Sequence, residues 1–142
     1  MEYLFAYGLL RGEFESPVAD LMAQYAQKAG PAKLHAQIYD IGGYPGVIAP
    51  YTDNHIVLGE LFEIANSDGL WERLDAFEGI SPEHEQPHEY VRKLTKVTRD
   101  DGSEVQAWVY WYNWPVDDKP RICSGDYLQR IAVLGTYGRN VD

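Results

Sequence analysis

Tyr7-Gly8-Leu9-Leu10-Arg11 joins an apolar, alternating opening segment to a loop, with glycine at the junction. A glycine there allows close backbone approach or an unusual φ, and an open main-chain N–H can bind a carboxylate or a developing oxyanion. Arg11, just beyond, serves equally as an anion partner or as half of a structural salt bridge. Glu78 ends a second constellation. Trp71, Asp75 and Glu78 follow the i, i+4, i+7 direction of a predicted helix, and Gly79 terminates it. A carboxylate at that end meets the unfavourable pole of the helix dipole. Desolvation by aromatic neighbours would push its pKa up, toward the range of a base at neutral pH. Tyr90, Tyr110 and Tyr112 form a third set, phenols carried on two strands that a tight turn would pair. An anion-holding loop, an acid/base and an aromatic wall suit proton transfer on a small polar substrate. Each also has a plain structural reading: a strand-to-loop junction, a solvent-facing last-turn acid, and a core stripe.

These residues need elements to position them. Met1–Tyr7 alternates as a first strand. Ser16-Pro17 suits a helix start, and Val18, Leu21, Met22 and Tyr25 make one apolar face that runs on through Ala26 and Ala29 to a stop at Gly30-Pro31. Lys33–Ile41 is predicted as a second strand entering the glycine-rich turn Gly42-Gly43-Tyr44-Pro45-Gly46, which could wall a pocket. His55–Ile64 is apolar on both parities, as expected of a central strand in a curved sheet or small barrel, with Gly59 relieving curvature. Glu60 on that strand is either a second pocket acid or a rim residue. Asn66-Ser67-Asp68 should cap the helix in which Leu70, Trp71, Leu74 and Phe77 pack inward. Asp101-Gly102 marks a hairpin between Glu89–Thr98 and Glu104–Trp114. This hairpin should bring Tyr90 and at least one of Tyr110 and Tyr112 to a common cavity. Ser124 or Asp126 caps a last short helix whose Ile131, Val133 and Leu134 cover the sheet's open end, and Gly135–Asp142 forms a surface tail.

Composition bounds the function. The chain's 142 residues suit a single domain over 1–142, with a substantial core and little room for a second. A formal net charge of -10 argues against a nucleic-acid binder, which needs a basic patch. The one cysteine, Cys123, allows no internal disulfide, and no histidine stands in a recognisable relation to it for cysteine hydrolysis. His84 and His88 are four apart, but Pro82 and Pro87 interrupt the segment and no third ligand follows at metal-binding spacing. The glycine-rich turn lacks the context of a phosphate loop. No metal, no cofactor and no membrane contact is expected, and the placement expected is cytoplasmic.

Tyr7-Gly8-Leu9-Leu10-Arg11, Tyr44-Pro45-Gly46, Gly59-Glu60-Leu61-Phe62, Leu74-Asp75-Ala76-Phe77-Glu78-Gly79, Tyr90 with Arg92, the Tyr110 and Tyr112 strand and Ser124-Gly125-Asp126 occur in one order. Together they resemble the gamma-glutamylcyclotransferase-like family, which includes bacterial and plant proteins related to gamma-glutamylamine cyclotransferase, over most of residues 3 to 128. The resemblance implies an α+β fold, a small mixed β-barrel with flanking helices. It implies an acyltransferase that converts a γ-glutamyl compound into 5-oxoproline and a free amine or amino acid, needing no cofactor. Glu78 falls on the family's acid/base position. Tyr7, Gly8, Leu9 and Leu10 would hold the glutamyl end through main-chain groups, with Arg11, Tyr90, Tyr110 and Tyr112 as further substrate contacts. Position 9 usually carries serine or threonine, so Leu9 removes a polar contact and leaves the leaving amine open. A non-enzymatic small-molecule binding or interaction module on the same scaffold is the alternative, and an aromatic-rich sheet leaves homodimerisation open.

Overall fold

A computed structural model describes residues 1–11, 16–50, 52, 54–80 and 84–134, without the side chains of Leu9, Val133 and Leu134. The predicted tail at 135–142 lies outside the described residues. Among the described residues seven strands and three helices run in the order β1 (Glu2–Ala6), α1 (Pro17–Tyr25), β2 (Ala26–His35), β3 (Gln37–Asp40), β4 (Pro45–Ile48), β5 (Ile56–Ile64), α2 (Leu70–Phe77), β6 (Tyr90–Arg99), β7 (Glu104–Tyr112) and α3 (Tyr127–Leu134). Five strands close into a small mixed barrel in the order β1-β5-β2-β6-β7, and β7 returns to β1 by a parallel pairing at Leu4 and Trp108. The other pairings around the ring are antiparallel. The same edge of β7 then takes β4, parallel, at Val47 and Trp111, and β3 pairs antiparallel outside β4. That edge therefore changes partner between Trp108 and Trp111.

Strand parity builds two cores. Phe5, Tyr7, Leu34, Val57, Leu61, Val97 and Val109 fill one, which α3 closes through Ile131. Leu4, Ala6, Phe62, Ile64, Tyr90, Tyr110 and Tyr112 form the other, covered by Leu21 and Met22 of α1 and Leu70 and Leu74 of α2. The two-sided apolar pattern of β5 is thus a strand serving both cores. Packing leaves Gly59 no room for a side chain, which would meet the Phe5 ring at 2.4 Å.

Ser16 caps α1 as expected, its Oγ accepting from the Ala19 N–H at 3.0 Å, with Pro17 in the first turn. The helix is shorter than its sequence pattern. It ends at Tyr25, and Ala26–His35 is strand, so Gly30-Pro31 lies inside β2 rather than at a helix end. Gly30, at φ 102°, sits where the register with β5 shifts past Lys28, and a bulge uses the backbone freedom that had looked like a helix stop. Asn66-Ser67-Asp68 does not cap α2 directly. Gly69 occupies that place with no side-chain cap bond, while Ser67 Oγ donates to Glu2 Oε2. Phe77, predicted to pack inward, is 51% exposed. The hairpin turn forms as predicted, with β6 and β7 in register from Tyr90 opposite Tyr112 to Thr98 opposite Glu104. Among the described residues, no helix is long and apolar enough to cross a membrane.

Candidate active site

A cleft of about 520 Å³ opens between the outer face of the barrel and the end of α2. Gly8 and Leu10 line it from the loop after β1, Tyr44 and Pro45 from the turn into β4, Glu78 from the C-terminal cap of α2, and Tyr90 and Tyr110 from the hairpin. The sequence elements singled out for an anion loop, an acid/base and an aromatic wall therefore share one space. The Tyr44-Pro45 turn walls the pocket, as its composition suggested.

Local structure explains how Glu78 arrives there. The α2 backbone ends on Glu78, whose N–H donates to the Leu74 and Asp75 carbonyls at 3.2 and 3.1 Å. Gly79, at φ 75°, then turns the chain so that Ile80 N–H reaches the Asp75 carbonyl at 2.8 Å. Glu78 is half-buried. Opposite, residues Leu9–Arg11 form a 3-10 turn closed by the Arg11 N–H on the Gly8 carbonyl at 3.1 Å. The opening N–H groups of such a turn have no partner within it, which is the property an anion needs. Gly8 sits against Pro45, where a side chain would meet Cγ at 3.2 Å, so close approach explains this glycine.

Five tyrosines line the cleft, and each phenol donates to an oxygen of the protein. Tyr7 donates to the Tyr110 carbonyl at 2.5 Å, Tyr44 to Glu89 Oε2 at 2.5 Å and Tyr90 to the Pro45 carbonyl at 2.6 Å. Tyr110 donates to Asp75 Oδ1 at 2.7 Å and Tyr127 to the Gly43 carbonyl at 3.0 Å. Carbonyl and carboxylate oxygens have no proton to give, so the direction of every bond is fixed. Burial raises all five phenol pKa values. The negative charge of Glu78 adds to that for Tyr7, Tyr90 and Tyr110. These side chains stay protonated and offer a ligand only oxygen lone pairs.

Not every predicted residue joins the cleft. Arg11 turns away, its Nη1 2.8 Å from Asp126 Oδ1, so of its two readings the salt bridge is the one formed. Asp126 also accepts from the Gln129 N–H at 3.3 Å and caps α3. Tyr112 lies outside the cleft wall, edge-on to Tyr90 at 5.4 Å and packed beneath Gly46. Leu9 contributes backbone to the turn. Glu60 pairs opposite Ala6 in the barrel and does not line the cleft. Sequence reasoning missed Glu89 and His84, both in the wall, and the brace behind Tyr110. In that brace Arg92 holds Asp75 through Nε to Oδ1 at 2.8 Å and Nη2 to Oδ2 at 3.1 Å. Its guanidinium lies 4.6 Å from the ring centres of both Trp71 and Trp108. Glu2 Oε1 ties the two indoles together, accepting from Trp71 Nε1 at 3.2 Å and Trp108 Nε1 at 3.1 Å. The available signal was the Trp71–Asp75 spacing on α2. No group of three or more His, Cys, Asp or Glu among the described residues could hold a metal ion.

Residues 4–129 of the chain match the family model gamma-glutamyl cyclotransferase, AIG2-like, and the chain belongs to that family. Protein MJ1514 of Methanocaldococcus jannaschii is 32% identical over 128 residues, covering 89% of this chain and 96% of the relative. The gamma-glutamylcyclotransferase family protein YtfP of Escherichia coli is 36% identical over 94 residues, 66% of this chain and 69% of the relative. The solution structure of YtfP superposes with a TM-score of 0.62 at 32% identity, covering 90% of this chain and 97% of that one. An AIG2-like protein from mouse shares the fold at a TM-score of 0.56 and 24% identity, covering 78% and 76% of the two chains.

Proposed function

We propose that the protein is a γ-glutamyl cyclotransferase, which releases 5-oxoproline and an amine from a γ-glutamyl compound by intramolecular aminolysis. One observation carries the reading: Glu78 and the Gly8–Leu10 turn line the same cleft, an acid/base facing a ready-made anion site. The glutamyl carboxylate would sit on the turn's N–H groups, with the α-ammonium toward Glu78. Glu78 takes a proton from that ammonium. The freed amine attacks the substrate's own γ-carbonyl carbon, Glu78 passes its proton to the leaving nitrogen as that carbon–nitrogen bond breaks, and the ring nitrogen sheds its second proton to the departing amine, which leaves as an ammonium. Ring closure is already favoured by proximity, so the protein's share is orientation and proton handling. The cleft tyrosines cannot donate to the developing oxyanion, because their protons are committed elsewhere. Main-chain N–H groups of the turn would take that part in this reading. The phenols instead accept hydrogen bonds from the ammonium and then from the amine it becomes, which aims the amine's lone pair at the γ-carbonyl carbon.

The test is Glu78→Gln, which keeps size and removes the proton cycle. Incubated with a panel of γ-glutamyl amines and amino acids, the variant should lose about 10²–10⁴-fold in 5-oxoproline formation. A folded E78Q protein as active as wild type would remove Glu78 from the mechanism. A folded wild type that turns over none of a broad panel would favour the binding module.

A further inference from the structure

The last turn of α2 gets little grip from packing. Leu70 and Leu74 are buried, but no residue from Asp75 to Ile80 is, and Phe77 is 51% exposed. Asp75 fastens this turn through its side chain and its main chain at once. The carboxylate reaches the barrel, accepting from Arg92 of β6 at 2.8 and 3.1 Å and from the Tyr110 phenol of β7 at 2.7 Å. The main-chain carbonyl accepts the Glu78 N–H at 3.1 Å and the Ile80 N–H at 2.8 Å. One residue thus joins the barrel wall to the backbone that carries Glu78. Arg92 is not among the described residues lining the cleft. Its Nε and Nη2 are taken by Asp75, and its guanidinium lies 4.6 Å from the ring centres of Trp71 and Trp108, which fix its plane. A two-pronged bond from a fixed plane sets a carboxylate's orientation as well as its distance.

Resting on the cyclotransferase reading, we propose that Arg92 is a positioning residue for the proton cycle: through the Asp75 carboxylate it fixes the end of α2, and with it the reach of Glu78 toward the substrate nitrogens. A carboxylate that carries a proton from one nitrogen of the substrate to another must stay within hydrogen-bond reach of both. A displacement of about 1 Å at such a group lowers the rate by up to ~10²-fold. The same bond set aims Tyr110, whose phenol proton is committed to Asp75 and whose lone pairs face the cleft. The Gly8–Leu10 turn, which would anchor the substrate carboxylate, has no bond to Arg92 or Asp75 among the described residues. Loss of Arg92 should therefore act on kcat and leave KM nearly alone.

The experiment assays wild type, Arg92→Met, Glu78→Gln and the double variant on a γ-glutamyl amine that wild type turns over. Val97→Ala, a truncation in the buried core away from the cleft, is the stability control. Arg92→Met should lower kcat by roughly 10–10²-fold, with KM moving by less than about threefold, while Val97→Ala keeps both. With Glu78 already replaced there is no proton cycle to misplace, so adding Arg92→Met should lower the residual rate by less than about threefold. A kcat equal to wild type in Arg92→Met, a loss confined to KM, an equal kcat loss in Val97→Ala, or the full loss repeated on Glu78→Gln overturns the proposal and leaves the role of Glu78 standing. Amide hydrogen exchange reads the same linkage without substrate. The Glu78 and Ile80 amides should exchange about tenfold or more faster in Arg92→Met than in Val97→Ala, and equal protection overturns the proposal whatever the activity. If folded wild type turns over none of a broad γ-glutamyl panel, the cyclotransferase reading fails, and the exchange result alone decides whether Arg92 holds the end of α2.

Discussion

Arg92 couples the barrel to α2, and its removal should be measurable as a pairwise energy. Its guanidinium makes two bonds to Asp75 and stacks between two indoles, and both partner side chains are about one-fifth exposed, at 20% and 19%. Hydrogen bonds to charged groups contribute about 1.5–3 kcal/mol in such settings, and each cation–π contact about 0.5–1 kcal/mol. Methionine at position 92 would keep part of the stacking through its thioether and lose both charge-assisted bonds. Arg92→Met should therefore cost about 2–3 kcal/mol, and Asp75→Asn, which leaves Tyr110 an acceptor, about 2 kcal/mol. Once either partner is gone the other has little left to lose, so the double variant should cost about 3 kcal/mol and the coupling come to about 1.5 kcal/mol. Urea unfolding of the four proteins measures it. With a slope of about 2 kcal/mol per molar urea, the R92M midpoint should fall by about 1 M or more. If the two single effects add to within about 0.5 kcal/mol, the pair is not coupled and the brace behind Tyr110 is refuted.

Two further outcomes follow from the same contacts. Hydrogen bonding from Ser67, then from Trp108 and Trp71, holds the Glu2 carboxyl below its ordinary value of 4.5. A carboxyl lowered on folding stabilises the protein above its unfolded pKa and loses that contribution as pH falls through the folded value. The stability gap between wild type and Glu2→Gln should accordingly be present at pH 7 and shrink below about pH 4.5, and a gap unchanged at pH 3 would contradict the assignment. At Gly46, an added side chain would sit 2.8 Å from Cβ and Cγ of Tyr112, so Gly46→Ala must displace that ring. A loss of about 1–3 kcal/mol in thermal or urea unfolding is expected, and a loss under about 0.5 kcal/mol would mean the ring moves freely.

What the sequence made legible were features set by neighbours along the chain. The Asp101-Gly102 turn, the Ser16-Pro17 start and the Glu78-Gly79 end depend on a few adjacent residues, and all three form as read. Residues 26–29 could not be read that way. Ala26, Gln27, Lys28 and Ala29 suit a helix locally, and only pairing with β5 from Ala26 opposite Ile64 makes them strand. In the site, the resemblance found Glu78 and the Gly8 loop because each sits in a contiguous motif. Asp75, Arg92 and Tyr110 meet across separations of 17 and 35 residues, and nothing short of the closed barrel brings them together. Tyr110 and Tyr112 share a parity, yet one reaches the cleft and the other lies under Gly46, because β4 covers β7 beyond Tyr110.

The closure of β1 onto β7 also sets when the site can exist. Leu4 meets Trp108, so the loop at Gly8, just past β1, gains its barrel wall only once β7 has docked. A nascent chain lacking β7 has neither Tyr110 nor the barrel wall that the Gly8 loop and Glu78 face across. Closing so long a loop is entropically costly and slow. A chain whose β7 has not docked thus has no complete cleft, and the cleft forms only with the closed barrel.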